Sequence, residues 1–286
     1  MKKILITGAD SYIGTSFEKW LSQWPDEYKV ETVDMIDGSW REKDFSGYDS
    51  VFHVAGIAHV KETKDNAEMY YKINRDLAIE TAEKARDAGV AQFIFLSSMA
   101  VYNGVKEENI TNDTILKASN HYGKSKAEAD MKIQSINNNT FRTAVLRPPM
   151  IFGPNCKGNF PRLMKLGKIL PLFPDFKNQR SMLYIDNLSE FVKLIIDNIE
   201  TGVFFPQNEE FFSSTEIIKA IAKKHKKKIW FTKRFNWAIY LLRPVSSSLN
   251  KAFGNLTYDK SLSNVLDKKY IVFDNPQSLE KSIYIL

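Results

Sequence analysis

The sequence predicts an α/β chain, a doubly wound parallel sheet followed by a smaller, interleaved α+β lobe. Three observations carry the prediction. Short apolar runs alternate with longer helix-like stretches through the first half of the chain. Several strand candidates, such as Phe93-Ile94-Phe95-Leu96, are apolar without interruption, as strands covered on both faces must be. A turn of small residues, Thr7 to Gly14, stands between the first strand and the first helix, where such sheets hold phosphate groups.

In chain order, strands are expected at Lys3–Thr7, Lys29–Asp34, Ser50–Val54, Gln92–Ser97 and Arg142–Arg147. Helices are expected between them at Tyr12–Trp24, Ala67–Ala88 and His121–Ile136. After Pro148-Pro149 the texture changes, with Pro154, Pro161, Pro171 and Pro174 punctuating short segments. A helix over Asp186–Ile199, a strand near Val203–Phe205 and a helix over Thr215–Lys224, capped by Ser213 or Ser214, follow. Residues 1–150 form the first domain, with 180–200 returning to it, and 151–286 form the second lobe. The apolar stretch Asn236–Leu242 is expected as buried core of that lobe rather than as a membrane contact.

Composition excludes several classes. At 43% hydrophobic and 26% charged residues over 286 positions, the chain is not disordered, collagenous or a disulfide scaffold. A single cysteine, Cys156, allows no internal disulfide and no thiolate metal cage, and no metal site is expected. The opening Met1-Lys2-Lys3 and its short apolar run do not read as a secretory signal. No apolar run nears the roughly 20 residues that cross a bilayer. The expectation is a cytoplasmic protein with no membrane partner. The formal charge of +6 is spread along the chain and densest at Lys223-Lys224-His225-Lys226-Lys227-Lys228, which reads as a solvated helix end. No nucleic-acid module accompanies it, so none is expected to bind.

Gly8, Ser11 and Gly14 meet three demands of a dinucleotide turn: a tight reversal, close backbone approach to a pyrophosphate, and close helix–strand packing. The N–H groups of Tyr12 and Ile13 at the helix start would hold the phosphate. Asp34, about 20 residues beyond the last glycine, stands where a carboxylate accepts bonds from ribose hydroxyls and repels a 2′-phosphate. NAD is therefore favoured over NADP, with Arg41 the residue that could temper the preference. Tyr122 and Lys126 are four apart at the start of a helix and so share one face. An ammonium within about 4–6 Å would lower a phenol's pKa by roughly 1–3 from its usual value near 10, giving a proton shuttle without histidine. Ser98 follows the fourth strand, where its hydroxyl can bond the oxygen that Tyr122 serves.

With these residues the chain resembles the extended short-chain dehydrogenases/reductases, in their NAD-dependent epimerase/dehydratase branch. The resemblance runs through Gly8, Ser11, Gly14, Asp34, Phe52-His53-Val54-Ala55-Gly56, Asn74 and Ser97-Ser98-Met99-Ala100-Val101-Tyr102. It continues through Tyr122 with Lys126, Leu146 to Pro154, and Arg180 with Tyr184-Ile185-Asp186-Asn187-Leu188. It implies a Rossmann-type domain, a lobe for a nucleoside-diphosphate sugar, and hydride transfer between sugar and nicotinamide. By position it makes Tyr122 the acid/base, Lys126 the holder of the nicotinamide ribose and Ser98 the partner of the reacting oxygen. Val54, Ala55 and Gly56 would line the cofactor, and Arg180 would bind the substrate diphosphate. A homodimer through the helices around 67–88 and 121–136 is implied as well. Two departures stand out: Ser11 replaces a glycine, and Met150 stands where many epimerases have a substrate-binding asparagine.

Dehydratases of this branch follow the catalytic Ser/Thr with an Asp-Glu pair. Met99 and Ala100 stand there instead, so dehydration lacks its acid and base. A 4-epimerase and a 4-keto reductase remain, with the same active residues and different cofactor retention. The segment from Gly158 and Asn159 to Met164, together with Pro171-Leu172-Phe173 and Asn178 to Ser181, is similar to bacterial reductases and epimerases of polysaccharide biosynthesis. The short chain and Met150 lean toward reductase, and Asp34 leans toward epimerase. The alternative of another class is a cofactor-binding sensor or interaction module without chemistry, against which stand Ser98, Tyr122 and Lys126.

Overall fold

A computed structural model describes residues 1–58 and 60–284. Its strands are β1 (Lys2–Thr7), β2 (Tyr28–Val33), β3 (Ser50–His53), β4 (Gln92–Leu96), β5 (Asn109–Ile110), β6 (Arg142–Leu146), β7 (Met150–Phe152), β8 (Leu172–Pro174), β9 (Met182–Tyr184), β10 (Gly202–Phe204), β11 (Trp230–Thr232) and β12 (Thr257–Tyr258). The α-helices are α1 (Tyr12–Leu21), α2 (Ala67–Tyr71), α3 (Leu77–Asp87), α4 (His121–Ser135), α5 (Asn159–Ile169), α6 (Ile185–Asp197), α7 (Ser214–Lys224), α8 (Asn236–Leu242), α9 (Ser247–Phe253) and α10 (Asn275–Ser282).

Six strands form one parallel sheet in the order β10-β6-β4-β3-β1-β2. The chain leaves β1 to one side for β2 and returns to the other for β3, so the carboxyl ends of β1 and β3 flank the reversal where such sheets bind ligands. The unbroken apolar strands have a direct cause in the alternation of side chains. Ile4 and Ile6, with Ile94 and Leu96, face a core shared with Phe17, Leu188 and Phe191. Leu5, with Phe93 and Phe95, faces the other way, onto Ala78, Ala82 and Ala129. Small alanines on α3 and α4 let those helices lie close to phenylalanines of the sheet.

Two expectations are corrected here. The strand expected near Val203–Phe205 belongs to the main sheet as β10, beside β6, because Arg147 N–H donates to the Phe204 carbonyl at 2.9 Å and continues the ladder. The stretch Asn236–Leu242 is helical, yet it is not core: Ile239 is buried, Tyr240 leans one side of its ring on Phe176, and Trp237, Leu241 and Leu242 stand in solvent. A seven-residue helix covers the lobe with one side only. The helix expected over Ala67–Ala88 is continuous but contains a π turn at Lys72–Asp76, a feature frequent at functional sites.

Candidate active site

The turn after β1 is built as the spacing requires. Gly8 has φ of +108°, and a Cβ there would lie 2.9 Å from the Ala55 nitrogen, so only glycine lets β1 and β3 leave the sheet side by side. A Cβ on Gly14 would stand 3.2 Å from Ile6 and 3.3 Å from Val54, which accounts for the last glycine. Ser11 has its own reason. Its hydroxyl accepts the Gly14 N–H at 3.1 Å as N-cap of α1, satisfying a donor the helix leaves unpaired. The Tyr12 and Ile13 N–H groups lie in the first turn and bond no carbonyl among the described residues, as donors at an anion-binding helix start do. The Tyr12 side chain goes elsewhere: its hydroxyl is buried without a partner, close to Gly153, and burial pushes its pKa far up.

Asp34 follows β2 and is exposed, its carboxylate accepting the Ile36 N–H at 3.0 Å. Arg41 is not free to reverse that charge. Its guanidinium clasps Glu80 through two bonds of 2.5 and 2.6 Å and lies over the Trp40 ring at 4.7 Å. Beyond β3, the Val54 and Ala55 N–H groups both bond the Thr7 carbonyl, at 3.1 and 3.0 Å. Gly56 is exposed, and a Cβ on it would come within 2.8 Å of Asn74 Oδ1 and 3.3 Å of Lys126 Nζ. The π turn explains Asn74: it brings this buried side chain to accept the Ile57 N–H at 2.9 Å and to donate to the Ile57 carbonyl at 3.1 Å. A helix start with free N–H groups, an exposed carboxylate at the end of β2 and a glycine beside an ammonium fit a nicotinamide dinucleotide.

Ser98 ends the run from β4, its hydroxyl accepting the Ala100 N–H at 3.1 Å. The Met99 N–H bonds the Pro148 carbonyl at 2.9 Å, tying the ends of β4 and β6 together beneath it. Tyr122 and Lys126 lie on α4, which Asn120 caps by accepting the Gly123 N–H at 3.0 Å. Burial raises the Tyr122 phenol above its ordinary pKa of 10; the Ser98 hydroxyl pulls it back, and the Tyr70 phenol adds a further push. The expected lowering by Lys126 is therefore corrected. The Lys126 ammonium is turned to the Leu96 carbonyl at 2.9 Å and the face of Phe95 at 4.7 Å. Burial also lowers its own pKa to about 8, with Asp130 opposing, so the ammonium keeps its charge at neutral pH and loses it in mild alkali. His53, whose Nδ1 meets the Thr7 hydroxyl at 2.8 Å, is likewise held neutral, at about 3, by burial and Lys126.

The remaining expected residues lie beyond β6 in the chain. Arg180 sits where β-bridges join it to Phe212 and Leu256. Its guanidinium donates to the Gly254 carbonyl at 3.1 Å and forms no ion pair among the described residues; burial alone lowers its pKa. Met150 is half-buried in β7 against the core, and Asn159 is exposed at the start of α5.

Sequence reasoning missed two supports. The Glu62 carboxylate accepts the N–H groups of both His121 and Tyr122 at 3.1 Å, fastening the segment after β3 across the start of α4. A buried ion pair lies one turn beyond Lys126: Arg147 grips Asp130 with two bonds of 2.8 Å, and Asp130 also accepts from Ser97 at 2.8 Å. Arg147 meets the Tyr102 hydroxyl at 2.6 Å. The Arg147-Pro148 pair at a strand end was a signal for it; Glu62 left none, since its partners are backbone.

Comparison with known proteins agrees with this geometry. A family model described as NAD dependent epimerase/dehydratase family matches residues 4–205. A UDP-glucose 4-epimerase of Vibrio cholerae is 28% identical over 98% of this chain and 93% of its own length. An N-acetyl-alpha-D-glucosaminyl-diphospho-ditrans,octacis-undecaprenol 4-epimerase of Escherichia coli O157:H7 is 28% identical over 70% of this chain and 64% of its own. Among solved structures, a UDP-glucuronic acid 4-epimerase from Bacillus cereus in complex with NAD superposes with a TM-score of 0.75, at 21% identity, over 98% of this chain and 97% of that one. That likeness establishes a shared fold. The chain belongs to the NAD-dependent epimerase/dehydratase family.

Proposed function

We propose that the protein is an NAD-dependent epimerase acting at C4 of a nucleoside-diphosphate sugar. The observation that carries the reading is the pairing of roles at the ribose edge: Asp34 is exposed and engages only the Ile36 N–H among the described residues, and Arg41, the cation that could accept a 2′-phosphate, is paired with Glu80. An enzyme that keeps one NAD and returns it unchanged needs selectivity for NAD; a one-way reductase drawing on NADPH does not. Residues 1–150, with α6 and β10, hold the cofactor, and the part of the second lobe around Arg180 takes the sugar diphosphate.

A nicotinamide held at this turn supplies reversible hydride exchange at a sugar carbon. The chain's own groups do the rest. Tyr122 gives and takes the proton of the C4 oxygen through its phenol, and Ser98 orients that oxygen through its hydroxyl. Lys126 binds the nicotinamide ribose beside Gly56. Arg180, a half-buried guanidinium without a carboxylate, meets the diphosphate. Met99 and Ala100, both without acid or base, leave the neighbouring carbons untouched. The relatives named for UDP-glucose and for a polyprenyl-diphosphate sugar share a sugar esterified to diphosphate, which supports that substrate class.

The test uses the purified chain with UDP-glucose or UDP-N-acetylglucosamine and no added cofactor. The C4 epimer should form, and denatured protein should release NAD. Stoichiometric consumption of added NADH or NADPH with a 4-keto sugar nucleotide, and no epimer from either sugar, would make the chain a reductase and overturn the reading.

A further inference from the structure

The second lobe carries a surface that this reaction does not use. Residues 217–258 contain ten Lys and Arg and no Asp or Glu, whereas the whole chain carries only +6. The charge excess of the molecule is therefore concentrated in this stretch, and the rest is net acidic. Lys219, Lys224 and Arg243 meet carboxylates; the other seven cations form no ion pair among the described residues.

Large apolar side chains stand among these cations. Trp230 is 79% exposed, Trp237 69%, Leu241 68% and Val245 82%. Local folding turns them outward. β11 is an edge strand paired only with β8, so Phe231 faces inward to the Phe173 ring at 6.4 Å and Trp230, its neighbour, faces out. α8 is anchored on its inner side by Ile239, by the Tyr240 ring 4.9 Å from Phe176, and by the Asn236 amide on the Asp175 carbonyl at 3.0 Å. Trp237 and Leu241, four apart, share the outer side. Beside Trp230 lies an open hollow of about 630 Å³ lined by Lys219, Lys223, Lys227 and Lys228.

Protein interfaces exclude lysine from their apolar centres, and a second copy placed on this face by two-fold symmetry would set like charges against one another. Nucleic acid would use the cations and the aromatic rings but has no use for Leu241 and Val245. Rings and aliphatic side chains at the level of surrounding ammonium groups are what the headgroup layer of an anionic membrane accepts.

We propose that this face docks on the surface of an anionic phospholipid bilayer, with Trp230, Trp237 and Leu241 at the headgroup boundary and the exposed Lys223 and Lys228 against lipid phosphates; Lys227 is instead held on the Lys168 carbonyl. The contact is peripheral, since no helix among the described residues is long and apolar enough to cross a membrane. It is independent of which sugar is transformed and of whether the chemistry is epimerisation or reduction.

The experiment is co-sedimentation of the full chain with vesicles of phosphatidylglycerol and phosphatidylethanolamine, against vesicles of phosphatidylcholine, with tryptophan emission read in parallel. The chain should bind the anionic vesicles, release with salt, and shift its emission to the blue. A variant with Lys223→Gln and Lys228→Gln should bind about 25-fold more weakly, at roughly fivefold per lysine. Trp230→Ser with Trp237→Ser should lose the emission shift and keep activity on soluble substrate. Absence of vesicle binding, equal binding to phosphatidylcholine, or variants that bind like the parent would overturn the proposal. So would a soluble dimer dissociated by Trp237→Ser, or retention on a single-stranded oligonucleotide, where vesicles are not bound.

Discussion

Lys126 should make the protein less stable at neutral pH than it is in mild alkali, and the size of the effect follows from its burial. A pKa lowered from 10.5 to about 8 means that folding disfavours the charged form by about 3 kcal/mol at pH 7. Below pH 8 the side chain is protonated in both the folded and the unfolded chain, and the full penalty stands. Between pH 8 and 10.5 the unfolded chain binds the proton and the folded chain releases it, so stability rises with pH. By pH 9.5 about 2 kcal/mol should have been recovered. The comparison that isolates this is wild type against Lys126→Met, by urea unfolding at pH 7.0 and 9.5, because all other titrations are common to both. The two stabilities should converge or cross toward wild type by about 2 kcal/mol over that interval. Parallel pH curves would show that Lys126 is not carried into the folded core as a strained cation.

Other perturbations read other parts of the site. Tyr122→Phe should cut turnover by about 10²- to 10⁴-fold while NAD still binds, measured by steady-state rates and by cofactor fluorescence. Asp34→Ala should weaken NAD far more than NADP in a binding titration; equal losses would place the carboxylate away from the ribose. Glu62→Ala should remove about 1 kcal/mol from α4 and lower kcat more than it raises KM, as expected if it steadies the backbone of Tyr122. Arg147→Met leaves Asp130 buried and unpaired and should cost about 3–5 kcal/mol in urea unfolding; pairing it with Asp130→Leu should restore much of the loss.

The parallel sheet, its element order and the turn at Gly8 were legible because local sequence dictates them. Continuous apolar strands have no other use in a chain of this size, and the positions of Gly8 and Gly14 follow from steric limits that a Cβ would break. The second lobe was less legible for a physical reason. The expected small-lobe strand became β10 of the main sheet because an edge position is decided by which ladder is open, here β6 with Arg147, and not by the strand's own residues. Asn236–Leu242 has the composition of core, but only Ile239, Tyr240 and Asn236 find partners. Periodicity over seven residues does not separate a buried helix from one lying across a surface. Ser11 is the opposite case: its departure from glycine looked like a weakness in the turn, and its hydroxyl is the cap that starts α1.

The tension within the site lies between Tyr122 and Lys126. Helical spacing alone suggests an ammonium that acidifies the phenol, yet the phenol's pKa is raised and the ammonium is engaged with Leu96 and Phe95. The two facts have one cause. Lys126 is buried and Tyr122 half-buried, and desolvation disfavours phenolate and ammonium alike. Each group is thereby pushed toward its neutral form, the phenol keeping its proton and the amine tending to lose one near pH 8. A neutral phenol near the Ser98 hydroxyl is poised to donate to an oxygen that develops charge, and it becomes a base only where a positive charge enters the cleft beside it. The chain alone therefore builds the donor state, and the acceptor state depends on what Gly56, Asn74 and Lys126 are shaped to hold. A pH profile of turnover with a single basic limb above pH 8, moved by Lys126→Arg and abolished with Tyr122→Phe, is the result this coupling requires. A profile indifferent to Lys126 would leave Tyr122 tuned by burial and Ser98 alone.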